Sequence, residues 1–396
     1  MPDRTADPFT THPTSGNPGS PEHPEDFWTP GGSGNPGRSE SPQASEAFVR
    51  AAMRWHFSPA TGSPFWIKRA AELDFDPLTD IRSWEDLDRF PDVSDEWRDV
   101  PVDALVPSGI DRAGWDFRVF DSGGTTGRPT RIVESRSRLA GVRWVSGVLA
   151  EHGIPDAGPG HWLHLGPTGP HIVGRSIGLL AHLRGTFCHY IDFDPRWVKT
   201  SLREGRTEEA RRYLRHILAQ ALDVLSTQPV AVLFATPPVL EALAADEQLY
   251  DLARRKLRGI IWAGTSISPE TLRVVEEELF PDAAVVGLYG NTLMGIAPQR
   301  PRDRSRPDEG CVFIPYHPFS RVRVVDPEEP GRLVGYGERG QARISLLSRD
   351  MLLPWALERD AVIRVAPTAA YPQDGLADIR PLTADGAPAP VVEGVY

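Results

Sequence analysis

Val230-Ala-Val-Leu-Phe-Ala235 is an unbroken apolar run bounded by Pro229 and by Thr236-Pro237. A strand covered on both faces reads this way, because none of its positions meets water. Pro238 to Leu257 follows with the spacing of a helix, and Gly259 to Ala263 reads as the next strand. Ser268 and Pro269 place a preferred N-cap residue and an N1 proline at the start of another helix, with Leu272, Val275 and Leu279 on its buried face. Ala283 to Tyr289 gives a third strand. Strands alternating with helices build a parallel sheet with crossover helices, so the expected class is α/β, with ligands at the carboxyl ends of the strands.

On the amino-terminal side, Phe117 to Phe120 and Thr130 to Glu134 read as two short strands around the glycine-rich stretch Ser122 to Gly127, a hairpin. Before it, Glu46 to about Gly109 is α-rich and carries many aromatics, among them Trp55, Phe57, Phe65 and Trp66. Residues 1–45 are dominated by Pro, Gly, Ser, Thr and acidic side chains, and SGNPG occurs at Ser15–Gly19 and again at Ser33–Gly37. Such a segment has too few bulky residues to offset the entropy of ordering and is expected to be a disordered tail. Beyond the parallel unit, Cys311 to Leu347 alternates strands with Gly and Pro turns, which predicts a β-rich subdomain over 311–396 inside a main domain of residues 46–396.

Composition excludes several classes of function. Among 396 residues the net charge is -11, which opposes a nucleic-acid partner because such binding draws on a basic surface. No run of about 20 apolar residues and no apolar leader is present, so neither a membrane span nor export is expected. Cys188 and Cys311 are the only cysteines, distant in sequence and outside any metal-ligand spacing, which suits a reducing cytoplasm and gives no metal site.

The strongest chemical signal is Asp121-Ser-Gly-Gly-Thr-Thr-Gly-Arg-Pro-Thr130. Glycines expose backbone N–H groups to phosphate oxygens, and Ser122, Thr125 and Thr126 add hydroxyl donors. It is not a Walker A loop, since it lacks the lysine before the hydroxyl and the helix directly after. On spacing alone an ordinary hairpin turn is the simpler reading.

The loop resembles the phosphate loop of adenylate-forming enzymes, usually written SSGTTGxPK, and its last residue, Thr130, matches the phenylacetate-CoA ligase branch. Two later segments follow in the family's order. Ile261-Trp-Ala-Gly-Thr-Ser266 resembles the strand-end turn that contacts adenine, and Leu288-Tyr-Gly-Asn-Thr292 resembles the YGxTE motif. Leu353-Pro-Trp-Ala-Leu-Glu-Arg-Asp360 is a looser match to the segment whose aspartate binds ribose. The likeness runs from residue 55 to about 380. It is closest to the shortened adenylating enzymes of phenazine (griseoluteate-type) biosynthesis, through His56-Phe-Ser-Pro-Ala-Thr-Gly-Ser-Pro-Phe-Trp66 and Ile191-Asp-Phe-Asp-Pro-Arg-Trp197. Those two stretches have no catalytic reading of their own and suit turns pinned by buried aromatics.

The resemblance implies the large N-terminal domain of that family: parallel-sheet α/β subdomains plus a small β-rich subdomain, with the C-terminal lid domain absent or truncated. It implies ATP and Mg²⁺ as cofactors. The nucleotide contacts it implies are Ser122, Gly123, Gly124 and Gly127 in the loop, Gly264 and Thr265 in the strand-end turn, Tyr289, Gly290 and Asn291 in the motif, and Asp360 on the ribose. Thr125, Thr126 and Thr292 are the implied catalytic donors. Leu293 replaces the motif's glutamate, so the metal would depend on phosphates and waters. No lysine follows Lys256, so the lid lysine is not supplied in cis, leaving Arg128, Arg131 or Arg359 as arginines to meet phosphate charge.

The implied reaction is attack of a carboxylate on the α-phosphorus of ATP, giving an acyl-adenylate and pyrophosphate. The acid, a small aryl or heteroaryl carboxylate of secondary metabolism, is expected between Gly166–His171 and Phe234–Pro237, with Gly169, His171 and Thr236 as contacts. The acyl group then passes to a partner such as a reductase or another acyl acceptor. A complete ligase making a thioester, ester or amide is the alternative, and a non-catalytic adenylate-binding module is the alternative of another class. Oligomeric state has no sequence signal.

Overall fold

The computed structural model describes residues 42–112, 117–122, 128–134, 138–155, 158, 160–264, 266–302, 310–316 and 319–382. The first helix, Pro42–Phe57, begins inside the stretch expected to be tail. Short helices follow at Pro64–Ala70, Pro77–Asp80 and Val102–Leu105. Ser63 and Asp76 cap the first two of these through their side chains, each followed by a proline at the first helical position. Trp66 is fully buried and stacks obliquely on Phe57 and edge-on against Phe90, in both cases with ring centroids 5.6 Å apart.

These aromatics anchor the α-rich segment to a distant part of the chain. Trp66 Nε1 donates to the Leu352 carbonyl at 2.8 Å, Trp55 Nε1 to the Arg349 carbonyl at 2.9 Å, and His56 Nε2 lies 2.7 Å from the Ser348 carbonyl. The segment from His56 to Trp66 is therefore a packing device, as its composition suggests.

β1 (Arg118–Asp121) and β2 (Arg131–Glu134) form an antiparallel hairpin with Asp121 opposite Arg131. The main sheet comprises β3 (His161–Gly166), β4 (Cys188–Asp192), β5 (Val230–Ala235), β6 (Gly259–Ala263), β7 (Ala284–Asn291) and β8 (Gly295–Pro298). Its order is β4-β3-β5-β6-β7-β8, parallel except for the antiparallel β7–β8 pair. Leu233 and Ile260 face one core with Ile217, Ala221 and Leu225 of helix Thr207–Thr227, while Phe234, Ile261 and Leu288 face the other with Val145, Leu149 and Ile177. Both faces are dry, which explains the unbroken apolar run of β5; each such burial stabilises the fold by about 1.5–3 kcal/mol.

The expected helix from Pro238 to Leu257 is two helices, Pro237–Ala244 and Glu247–Lys256. Asp246 causes the break: its side chain accepts from Leu249 N at 3.0 Å and caps the second helix. The last sheet contains β9 (Val312–Phe313), β10 (Ser320–Val325), β11 (Arg339–Leu347), β12 (Leu352–Val365) and β13 (Gly375–Pro381), in the order β10-β11-β12-β13-β9 and antiparallel throughout. Two of its strands, β12 and β13, lie beyond Leu347, inside the stretch 311–396 expected to be β-rich. Among the described residues no helix is long and apolar enough to cross a membrane.

Candidate active site

At the carboxyl ends of β3, β5, β6 and β7 lies a cleft of about 160 Å³. Its walls are Pro167 and His171 after β3, Phe234 and Thr236 at the end of β5, Ala263 and Gly264 at the end of β6, Gly290, Asn291 and Thr292 at the end of β7, and Asp121 at the end of β1. A larger cavity of about 400 Å³ sits at the opposite, amino-terminal ends of β3 and β5, between Pro155, Arg184 and Lys256. It contains none of the residues singled out in sequence, and open parallel sheets place their ligands at the other end.

Local chemistry fixes each wall. Gly264 adopts φ +93°, a left-handed conformation that lets the chain turn sharply off β6. Thr236 stands at the N-cap position of helix Pro237–Ala244 without using its hydroxyl as a cap. Asn291 Oδ1 accepts from the N–H groups of Leu293 and Met294 at 2.9 and 2.8 Å, closing the β7–β8 turn.

The hairpin and this turn are joined twice. Thr292 Oγ1 donates to the Asp121 carbonyl at 3.2 Å, and the Arg138 guanidinium donates to the Thr292 carbonyl. Arg138 is buried and ion-paired with Glu134 at the end of β2. Burial, opposed by Arg138, raises Glu134 to about 7. At the hairpin's neck, Thr130 N donates to Ser122 Oγ and Ser122 N to the Thr130 carbonyl, both at 2.9 Å. The Ser122 hydroxyl, expected on phosphate, is thus part of the neck.

Two ionisable groups border the acid side. Burial pushes the His171 pKa down, and nearby Arg196 lowers it further. Asp121 faces two guanidiniums, with Arg196 Nη1 at 3.2 Å from Oδ2 and Arg131 Nε at 3.6 Å from Oδ1.

Of the residues singled out in sequence, Thr292, Gly290, Asn291, Gly264, Thr236 and His171 share this cleft. Gly169 does not: it sits exposed at the tip of the turn with φ +56°, a position that serves the turn's backbone and not the wall. Tyr289 alternates with Leu288 and Gly290 along β7, so the pleat turns it to the opposite face, where its ring centroid is 6.2 Å from that of Phe313. There it meets Asp360, which lies within β12. Gly123, Gly124, Thr125, Thr126, Gly127 and Thr265 lie outside the described residues. Leu293, at the motif's glutamate position, is buried in the core, and among the described residues no cluster of three metal-ligating side chains exists.

Sequence reasoning missed Arg138 and Arg196. Arg196 belongs to the Ile191–Trp197 stretch, which had no assigned role; Arg138 carried no signal, since its partners are remote in sequence.

The chain has the α/β fold of the large N-terminal domain of adenylate-forming enzymes. Among the solved structures it resembles are those of 2-hydroxyisobutyryl-CoA ligase. An open conformation with 2-HIB-AMP and CoA matches with a TM-score of 0.57 at 17% identity, over 84% of this chain and 73% of that one. The postadenylation state with R3-HIB-AMP matches with a TM-score of 0.55 at 16% identity, over 85% and 67%. Neither a protein-family model nor a curated protein sequence matches the chain.

Proposed function

We propose that the protein uses ATP to activate a small aromatic or heteroaromatic carboxylic acid as its acyl-adenylate. One observation carries this reading: a single cleft joins the acid-side residues His171 and Thr236 to the nucleotide-side residues Gly264, Asn291 and Thr292, with the neck of the phosphate loop at Asp121. The shared fold supports it. The aryl acid and the place in secondary metabolism rest on the likeness to griseoluteate-type enzymes.

In the reaction, a carboxylate oxygen attacks the α-phosphorus in line, the bond to the β-phosphate oxygen breaks, and pyrophosphate leaves. The nucleophile is already ionised at pH 7, so no general base is needed. Rate enhancement comes from holding the two anions in line and from donors aimed at the developing charge. Thr292 supplies one such donor, exchanging the Asp121 carbonyl for an α-phosphate oxygen. Loop N–H groups hold the outer phosphates and Gly264 and Thr265 border the adenine; Asp360, which meets Tyr289 outside the cleft walls, has its ribose role from the family resemblance alone. The described residues do not form a cage for Mg²⁺: Leu293 points into the core and Asp121 is the cleft's single carboxylate. A Mg²⁺ ion here would take its ligands from the nucleotide's phosphates and from water.

A second reading, a complete CoA ligase, is favoured by the neighbour solved with both an acyl-AMP and CoA. Pyrophosphate exchange dependent on the acid tests the adenylation step, and product mass in the presence of CoA, amine or alcohol acceptors separates the two readings.

A further inference from the structure

We propose that Arg196 is the cation that receives the triphosphate at the neck of the Ser122–Thr130 loop, an assignment that rests on the adenylation reading above. The cleft has a charge problem. Among its described lining residues Asp121 is the one acidic side chain, and none is a lysine or an arginine. A nucleoside triphosphate adds several negative charges, and a second anion, the acid, must lie beside it. A positive group has to stand at the phosphate end for both to bind.

Arg196 has that placement. Its Nη1 lies 3.2 Å from Asp121 Oδ2, its Nη2 donates to the Ser122 carbonyl at 3.3 Å, and its Nε–H has no partner among the described residues. The guanidinium therefore grips the last residue of β1 and the first of the loop. Two other arginines near the hairpin are committed elsewhere: Arg138 to Glu134 and the Thr292 carbonyl, Arg128 to Asp99 on the surface. Arg131 stands farther from Asp121, at 3.6 Å.

The chain fixes Arg196 firmly. Asp194 Oδ1 caps helix Pro195–Arg203 by accepting from Arg196 N at 2.9 Å and Trp197 N at 3.2 Å. Trp197 packs edge-on against Tyr213, with ring centroids 5.0 Å apart. The same segment also holds the acid side, because Asp192 Oδ1 accepts from Thr168 N at 2.9 Å and Thr168 Oγ1 at 2.6 Å. Residues 192–196 thus set the acid-side turn against the phosphate loop, and Arg196 exchanges Asp121 for a phosphate oxygen when nucleotide arrives.

The experiment combines acid-dependent ATP–pyrophosphate exchange of Arg196→Gln and Arg196→Lys with mass-spectrometric mapping of arginine labelling by a dicarbonyl reagent in the unaltered protein. The expected result is an exchange turnover about 100-fold lower for R196Q, with KM for the acid within about threefold and with R196K about tenfold above R196Q. MgATP is expected to shield Arg196 from labelling. Exchange by R196Q at the unaltered rate, or equal labelling of Arg196 with and without MgATP, overturns the assignment. Labelling needs only nucleotide binding, so it reports on Arg196 even if R196Q does not fold, and even if no acid supports exchange, the outcome that defeats the adenylation reading itself.

Discussion

The Tyr289 hydroxyl donates to Asp360 Oδ2 at 2.6 Å, joining β7 of the parallel sheet to β12 of the antiparallel one. Burial raises the pKa of both groups, and for Tyr289 the neighbouring Asp360 carboxylate adds to the rise. The phenol thus holds one carboxylate oxygen of Asp360 at the junction of the two sheets.

Tyr289→Phe removes the donor but keeps the ring. A hydrogen bond to a carboxylate in this setting contributes about 1.5–3 kcal/mol, so urea unfolding is expected to show a loss in that range. KM for ATP is expected to change less than threefold in Y289F and to rise about tenfold or more in Asp360→Ala. Equal KM values for Asp360→Ala and the unaltered protein would remove Asp360 from the nucleotide site.

Thr292→Val is nearly isosteric and removes the hydroxyl that reaches the Asp121 carbonyl. The structural cost is one neutral hydrogen bond, about 1 kcal/mol. A donor lost from the developing phosphate charge costs about 100-fold in turnover. Exchange kinetics and thermal unfolding measured together should therefore diverge, with turnover falling far more than stability. A turnover loss no larger than the stability loss predicts would make Thr292 a turn residue only.

Much of this arrangement was legible. β5, β6 and β7 follow from their apolar runs, and the order of the motifs brings Gly264, Asn291 and Thr292 to one end of the sheet, because parallel strands deliver their carboxyl ends together. The face of Tyr289 was not read, though the period of two along β7 fixes it once Gly290 is assigned to the cleft. Asp246 looked like one more helical acid; only its hydrogen bond to Leu249 N shows that it starts a new helix. Arg196 had no signal because its partners, Asp121 and Ser122, are brought to it by tertiary packing. Asp360, matched only loosely to a ribose-binding segment, lies within a long strand whose extent its sequence did not show.

His56 and His164 are fully buried, and desolvation depresses each from 6.5 to about 4. A group with a depressed folded-state pKa stabilises the fold above its unfolded value, and that contribution is lost as pH falls through 6.5 toward 4. Between pH 7 and 5 the loss is about 2 kcal/mol per histidine. Glu134 and Glu358, held up near 7 mainly by burial, act in the opposite sense over the same window. The difference between proteins isolates the histidine: His56→Gln should lose about 2 kcal/mol less than the unaltered chain between pH 7 and 5 in urea unfolding. Parallel pH curves would show that His56 takes up its proton equally in the folded and unfolded chain.

The central claim is that this cleft forms an acyl-adenylate. The most direct measurement is ATP–pyrophosphate exchange with Mg²⁺ and no thiol, across a panel of aryl, heteroaryl and aliphatic carboxylic acids. The account predicts exchange with ring-bearing acids, dependent on the acid and nearly abolished in T292V. Bound nucleotide without exchange for any acid in the panel would contradict it and mark the cleft as a nucleotide-binding module without chemistry.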